Sequence, residues 1–184
     1  MKQIKRALIS VSDKTGLRKI LKTLKKYRTQ IISSGGTYKE IKKLGFKCIE
    51  VSKYTGSPEI LEGRVKTLHP KIHAGILSKR EKKSHIKDLL KNNFNEIDLV
   101  IVNFYPFEKT LNLTNNHKKI VENIDIGGPT MVRSAAKNYN DVAVITNSNQ
   151  YVDLINELNS NKGSTTLKFR EKMSRDAFSE TSYY

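Results

Sequence analysis

The sequence predicts an α/β protein of three layers, a mostly parallel central sheet of about five strands flanked by helices. Three observations carry this. Short apolar, β-branched runs recur along the chain, segments of helical period separate them, and the runs are nearly continuous rather than alternating. Continuous apolar strands are expected where helices cover both faces of a sheet.

The strand candidates are 7–12 (Ala-Leu-Ile-Ser-Val-Ser), 30–34, 47–52, 98–104 and 142–146. Between the first two, Leu17, Ile20, Leu21 and Leu24 follow the i, i+3, i+4, i+7 spacing of one helix face. Tyr38, Ile41 and Leu44 repeat it, and Gly45 follows as a stop. Ile86, Leu89 and Leu90 mark a helix before the fourth strand. Tyr151, Val152, Ile155 and Leu158 mark one after the fifth, with Ser148 as its expected N-cap. Segment 164–184 reads as a final helix ending abruptly at Ser182-Tyr183-Tyr184, as if a domain had been cut from a longer chain. Residues 53–81 show no clear period, which marks them as functional rather than scaffold.

A length of 184 residues fits one domain spanning 1–184. No apolar run approaches the ~18 residues of a membrane span, and the stretch Ala7-Leu8-Ile9 is too short for a signal peptide. A cytosolic protein is expected, with no membrane partner. The lone Cys48 excludes an internal disulfide and reads as a buried thiol. The formal charge of +16 calls for anionic partners. Only eight of the 34 basic residues are Arg, and the lysines are dispersed in pairs such as Lys25-Lys26 and Lys82-Lys83. A nucleic-acid reader would cluster them with Arg and aromatics, so no nucleic-acid partner is expected.

Ligands of open parallel sheets bind beyond the carboxyl ends of the strands. Here those ends are polar: Ser10-Val-Ser12-Asp-Lys14-Thr-Gly16, Ser33-Ser34-Gly35-Gly36-Thr37 and Asn103-Phe-Tyr105-Pro106. Gly35 and Gly36 let backbone approach an anion at a helix N-terminus, where Thr37 could donate its hydroxyl and Lys14 could add charge. In Gly63-Arg64-Val65-Lys66-Thr67, an extended backbone would project Arg64 and Lys66 to one side, suiting a phosphate or a developing oxyanion. Asp125-Ile126-Gly127-Gly128-Pro129 reads as a loop entering a helix, with Pro129 at the first helical position. Asp125 and Lys137 could form a proton-transfer couple, although Lys137 lies well into that helix. His69 and His73 stand four apart, but Pro70 intervenes and no third ligand is spaced to join them, so no metal site is expected. His85 and His117 read as surface residues.

Taken in order, Ser10–Gly16, Ser34-Gly-Gly-Thr37, Gly63-Arg-Val-Lys-Thr-Leu-His-Pro70, Asn103-Phe-Tyr-Pro-Phe107, Asp125-Ile-Gly-Gly128 and Ala135-Ala-Lys-Asn138 closely resemble the IMP cyclohydrolase domain of the bifunctional PurH proteins. The resemblance covers essentially the whole chain. It implies the methylglyoxal synthase-like fold and closure of the second purine ring on a formylated carboxamide ribonucleotide. It implies Lys66, Tyr105, Asp125 and Lys137 as catalytic residues. Ser10, Ser12, Lys14, Ser34, Gly35, Gly36, Thr37, Arg64, Thr67, Asn103, Ile126, Gly127 and Gly128 would hold the purine ribonucleotide substrate. In this assignment Asn103 reaches the base, and the Gly127 and Gly128 amides join Lys66 at the developing oxyanion. No metal or redox cofactor is implied. A homodimer is, and in full-length relatives a C-terminal transformylase domain, of which nothing is present here. The Tyr183-Tyr184 end is expected to fray, or to pack on a partner chain. A non-catalytic phosphometabolite module of the same fold, or a triose-phosphate lyase, is the competing expectation.

Overall fold

A computed structural model describes residues 1–184. The elements are, in order, β1 (Lys2–Gln3), β2 (Arg6–Val11), α1 (Leu17–Lys26), β3 (Gln30–Ser33), α2 (Gly35–Lys43), β4 (Ile49–Glu50), α3 (Val51–Thr55), α4 (Pro70–Leu77) and α5 (Lys83–Lys91). They continue with β5 (Leu99–Asn103), α6 (Phe107–Leu113), α7 (His117–Glu122), α8 (Gly127–Lys137), β6 (Ala143–Ile145), α9 (Tyr151–Ser160), β7 (Ser164–Thr165) and α10 (Leu167–Tyr183). Five strands pair in the order β4-β3-β2-β5-β6, all parallel, while β1 and β7 form a separate antiparallel pair. This is the α/β architecture the apolar runs predict.

Burial explains the continuous runs. Ala7, Leu8 and Ile9 of β2 and Leu99, Val100, Ile101 and Val102 of β5 are all buried, so successive side chains on both faces meet covering helices. Leu17, Ile20, Leu21 and Leu24 are the buried stripe of α1, as their spacing requires. α1 packs with α9, and α8 packs with α4 and α10.

The chain runs outward from β2 through β3 to β4, then returns to the other side of β2 for β5 and β6. The order therefore reverses between β2 and β5, and their carboxyl ends open a crevice. The segments leaving those two strands are Ser12–Lys14 and Phe104–Tyr105.

Four local expectations are corrected. The third strand shrinks from 47–52 to Ile49–Glu50, because Val51 already starts α3. The region 53–81 contains the helix α4, which its short apolar stripe did not reveal. Pro70 stands at its start, and His69 caps it by accepting from the Lys71 N–H at 3.0 Å. The cap of the turn before α9 is Asn147 rather than Ser148. Asn147 and Gln150 cap it reciprocally, and this lifts Ser148 into the 3₁₀ turn. Helix α8 begins at Gly127, so Pro129 is its third residue rather than its first. No helix is long and apolar enough to cross a membrane.

Candidate active site

The start of α2 is built to receive an anion. Ser34 enters it extended, and no side chain caps the first amides. The Tyr38 N–H is the first to close back, onto the Ser34 carbonyl at 3.2 Å, which leaves the Gly35, Gly36 and Thr37 amides at the open end. Gly35 has φ 53° and the Lys66 ammonium lies 3.3 Å from where a Cβ would stand, so both backbone and space favour glycine. The Lys14 ammonium lies 3.9 Å from the corresponding point on Gly36 and donates to the Ser12 carbonyl at 3.2 Å. Two cations thus flank one helix N-terminus, with half-buried Ser10 and Ser12 and buried Ser34 on the adjoining strand ends.

Two expected ligands have other work. The Thr37 hydroxyl donates to the Val11 carbonyl at 2.9 Å and accepts from the Val11 N–H at 3.0 Å. Strand β3 ends at Ser33, opposite Ile9, so Val11 has no strand partner on that side and Thr37 supplies both bonds. Its backbone N–H still faces the helix start, but its hydroxyl is occupied. Asn103 is similarly engaged: its Oδ1 accepts from Ser12 and Asp13 amides at 2.6 and 3.0 Å, and its Nδ2 donates to the Asp13 carbonyl at 2.8 Å. Rather than reaching the base, it holds the loop that carries Lys14. Asp13 in turn accepts from the Thr15 N–H at 2.9 Å, and the Thr15 hydroxyl first, then this N–H, hold its carboxyl below the usual range.

Residues 63–67 are not extended. Arg64 has helical dihedrals, and the Lys66 and Leu68 amides fold back on Gly63 and Val65. Arg64 and Lys66 therefore take separate partners: Arg64 pairs with Glu122 at the end of α7, while Lys66 pairs with Glu59 at 2.9 Å. Leu61 and Glu62 precede this turn in left-handed conformations, with φ of 51° and 54°. Each such non-glycine residue costs on the order of 1 kcal/mol, strain of the kind that collects at functional loops. Beside Lys66 lies a cavity of about 220 Å³ lined by Ser34, Gly35, Glu59, Val65 and His69 among others. Thr67 is buried, and a Cβ on Gly127 would collide with its hydroxyl, so this turn packs directly on the start of α8.

Asp125 stands just before α8. Its Oδ1 accepts from the Gly128 N–H at 2.8 Å, and a Cβ on Gly128 would overlap the carboxylate. The Gly128 amide is thus unavailable to a substrate oxygen, contrary to expectation. Burial pushes the Asp125 carboxyl up, and the Gly128 and Tyr105 backbone amides pull it partly back. The Tyr105 side chain is 47% exposed, and Ile126 is 59% exposed, so both remain open to a ligand. Lys137 is not brought to Asp125. Helix α8 runs unbroken for 11 residues, about 16 Å, and ends at Lys137 beside the amino ends of the strands. Within one chain the expected Asp125–Lys137 couple does not form.

The histidines diverge. His69 caps α4, while the His73 Nδ1 lies 3.2 Å from the Ser134 hydroxyl and burial lowers its pKa. No group of three His, Cys, Asp or Glu side chains is placed to hold a metal. Burial pushes the Cys48 thiol up to about 12, so it is no nucleophile near neutral pH.

Two residues lay outside the expected set. Glu59, the partner of Lys66, is seven residues away from it across an irregular loop. Tyr184 packs its ring on Phe104 at 4.8 Å between centroids and accepts from the Asp125 N–H at 2.9 Å. The expected fraying of Tyr183 and Tyr184 is therefore overturned. α10 packs on α8 and β6 and delivers them to the site, and the Tyr183 hydroxyl donates to Glu108 at 2.6 Å.

The loops thus close a ring. Lys14 meets Gly36, Gly35 meets Lys66, Thr67 meets Gly127, Asp125 meets Tyr105, and Asn103 returns to Ser12. Comparison with known proteins gives that ring a family. The model of the "MGS-like domain" matches residues 16–130, well over half the chain. The chain belongs to the MGS-like domain family. The AICARFT/IMPCHase bienzyme model matches residues 135–184 of this MGS-like chain. Among curated relatives are the bifunctional purine biosynthesis proteins PurH of Bradyrhizobium diazoefficiens, 46% identical over 100% of this chain, and of Prochlorococcus marinus, 53% identical over 97%. The PurH of Neisseria meningitidis is 50% identical over 100% of the chain. The chain spans about a third of these relatives, 34–35% of their length. The crystal structure of ForH superposes with a TM-score of 0.86 at 28% identity, covering 97% of this MGS-like chain and 94% of that one.

Proposed function

We propose that this chain is an IMP cyclohydrolase, closing the second ring of 5-formamidoimidazole-4-carboxamide ribonucleotide with loss of water. The observation that carries the proposal is the ring of loops. It brings an anion-binding helix start, a lysine and a carboxyl raised by burial around one crevice. The relatives are named bifunctional purine biosynthesis proteins, and the AICARFT/IMPCHase model that matches residues 135–184 supports ring closure as this chain's share.

In this reading the phosphate sits at the start of α2, held by the Gly35, Gly36 and Thr37 amides, Lys14 and the nearby serines. The carboxamide nitrogen then attacks the formyl carbon of the same molecule. Both groups share one planar imidazole, so holding them face to face supplies most of the rate. Attack forms the new C–N bond and moves the carbonyl electron pair onto oxygen. Lys66 and the Gly127 amide stabilise that oxygen, and Lys66 must first leave Glu59. Asp125 takes the proton from the attacking nitrogen, and burial suits it to the task by bringing its carboxyl nearer neutrality. Asp125 returns that proton to the oxygen, making a hydroxyl. Tyr105 then donates a second proton, the C–O bond breaks to release water, and the former formamide nitrogen gives its N–H proton to the Tyr105 oxygen as the C=N bond of the new ring forms. Arg64, Thr67 and Ile126 border the ribose and base.

The test is turnover. The formylated ribonucleotide is added to the protein and IMP is followed by its ultraviolet absorbance. Binding without turnover, in a folded protein, would favour the non-catalytic phosphometabolite module instead. Lys66→Met should lower kcat by about 10²–10³-fold, the usual loss for an oxyanion donor, with KM little changed. A raised KM with kcat intact would make Lys66 a phosphate contact, a role its closeness to Gly35 also permits.

A further inference from the structure

Tyr184 ties together the two segments that carry Tyr105 and Asp125. Its hydroxyl accepts from the Asp125 N–H at 2.9 Å and donates to the Asn123 carbonyl at 3.3 Å. Both groups lie in the short link between α7 and α8, so the phenol pins that link at two backbone points. Its ring packs on Phe104, next to Tyr105, with the planes tilted by 51°. One residue before it, Tyr183 binds Glu108 on α6. The end of α10 therefore spans the exit of β5 and the entrance of α8, the two sides of the crevice.

Within the link the Asn123 and Ile124 amides close back on the Ile120 and Val121 carbonyls of α7, but Asp125 lies beyond those bonds, and Ile124 and Ile126 on either side of it are 46% and 59% exposed. Asp125 reaches Gly128 with its side chain, but its own backbone N–H has only the Tyr184 hydroxyl. A loop of this kind is floppy unless tied, and catalysis is sensitive to displacements of about 1 Å.

We propose that Tyr184 is a positioning residue, a clamp that holds the Asp125 carboxyl beside Tyr105 and keeps it shielded from water. This rests on the cyclohydrolase reading for its kinetic consequence, but not for its structural one. The titratable side chains that face one another here are Asp125, Tyr105 and Tyr184; burial first, and then the charge of the other two, raises the Tyr184 phenol. No lysine or arginine side chain is paired with Asp125, so its environment is set by burial and by the backbone amides.

Two variants separate the parts of the clamp. Tyr184→Phe keeps the ring and removes the hydroxyl; Tyr184→Ala removes both and opens the carboxyl to water. The 184-residue chain carrying ¹³C-labelled Asp is titrated by NMR, with Asp125→Asn assigning the signal, and kcat and KM are measured across pH. A hydrogen bond worth about 0.5–1.5 kcal/mol predicts a fall in kcat of about 2- to 12-fold for Tyr184→Phe, with KM within about twofold of the parent. Tyr184→Ala should lower kcat further. It should also move the Asp125 titration, and with it the acidic limb of the rate profile, down toward the ordinary carboxylate range. A purely structural role would lower the folded fraction without moving either midpoint. If both variants keep the parent's kcat and Asp125 titrates as before, the clamp is refuted while the cyclohydrolase reading stands. If the parent shows no turnover, that reading falls, yet a shifted Asp125 titration in Tyr184→Ala still upholds the clamp and an unshifted one refutes it.

Discussion

Replacing Thr37 by Val separates a ligand from a scaffold at the heart of the anion site. The change is nearly isosteric and deletes one hydroxyl, which bonds both backbone groups of Val11. Thr37 and Val11 are each 4% exposed, so no water readily replaces it. Two buried backbone groups are then orphaned, at about 1–3 kcal/mol each, for a total of about 2–6 kcal/mol. In a domain of this size that is at least about 4 °C in Tm. Thr37→Ser keeps the hydroxyl and should cost only about 1 kcal/mol, for one lost methyl. Urea unfolding followed by circular dichroism gives the stability, and titration with ribose 5-phosphate gives the affinity. The expected result is a large loss of stability in the Val variant, with affinity of the folded protein changed by less than about tenfold. A Val variant as stable as the parent to within about 0.5 kcal/mol, with phosphate binding lost, would show that the hydroxyl serves the ligand and that the assignment to Val11 is wrong.

Three further outcomes are expected. Asp125→Asn should abolish turnover yet stabilise the fold near neutral pH, because its carboxyl is raised by burial. The sign follows from proton counting: between the ordinary Asp value and the raised folded one, the native state binds more protons, so stability falls as pH rises through that window and the Asn variant escapes the loss. Unfolding free energies measured from pH 4 to 8 check this, and a flat difference between the two proteins would refute it. Asn103→Ala frees the Ser12–Lys14 loop from three bonds. It should raise KM for the nucleotide well before it alters kcat, whereas a base contact would show discrimination between purine and simple ribose phosphates. Cys48, with its thiol pushed up to about 12, should react with Ellman's reagent at pH 8 much more slowly when folded than in urea. Equal rates would place the thiol in solvent.

The fold was legible because its signal is repetitive. Four of the five parallel strands are apolar runs, the exception being the short Ile49–Glu50, and α1 shows its whole buried stripe in the sequence; the stripes read for α5 and α9 are met only in part, since Leu90 is 75% and Val152 62% exposed. α4 was not legible. Its Pro70–Leu77 segment is short, and what makes it a helix is a histidine cap and a proline at its start, local devices without periodicity. The reversal of strand order between β2 and β5 is a property of the chain path, and no local pattern records it.

For the site, residue type revealed which loops converge but not what each side chain does there. Thr37, Asn103 and the Gly128 amide all have ligand-like chemistry, and all three are engaged with their own protein. The reason is common to them. Loops at strand ends carry backbone groups that the sheet no longer pairs, and the polar residues able to bind a phosphate are the ones best able to satisfy those groups. What remains for the ligand is the set with no internal claim or an exposed one: the amides at the start of α2, Lys14, whose bond to the Ser12 carbonyl is exposed, and Lys66 once it releases Glu59. For Lys137 the structure excludes an early break in the helix: α8, with Met131, Val132, Ala135 and Ala136 buried along one face, continues unbroken to Lys137. Tyr184 could not be found from sequence spacing, since it reaches Asp125 only because α10, packed along α8 and β6, brings it there. A site assembled in this way is tuned from its supports: the polar loops set where an anion binds, and the elements behind them set how firmly the reacting carboxyl is held.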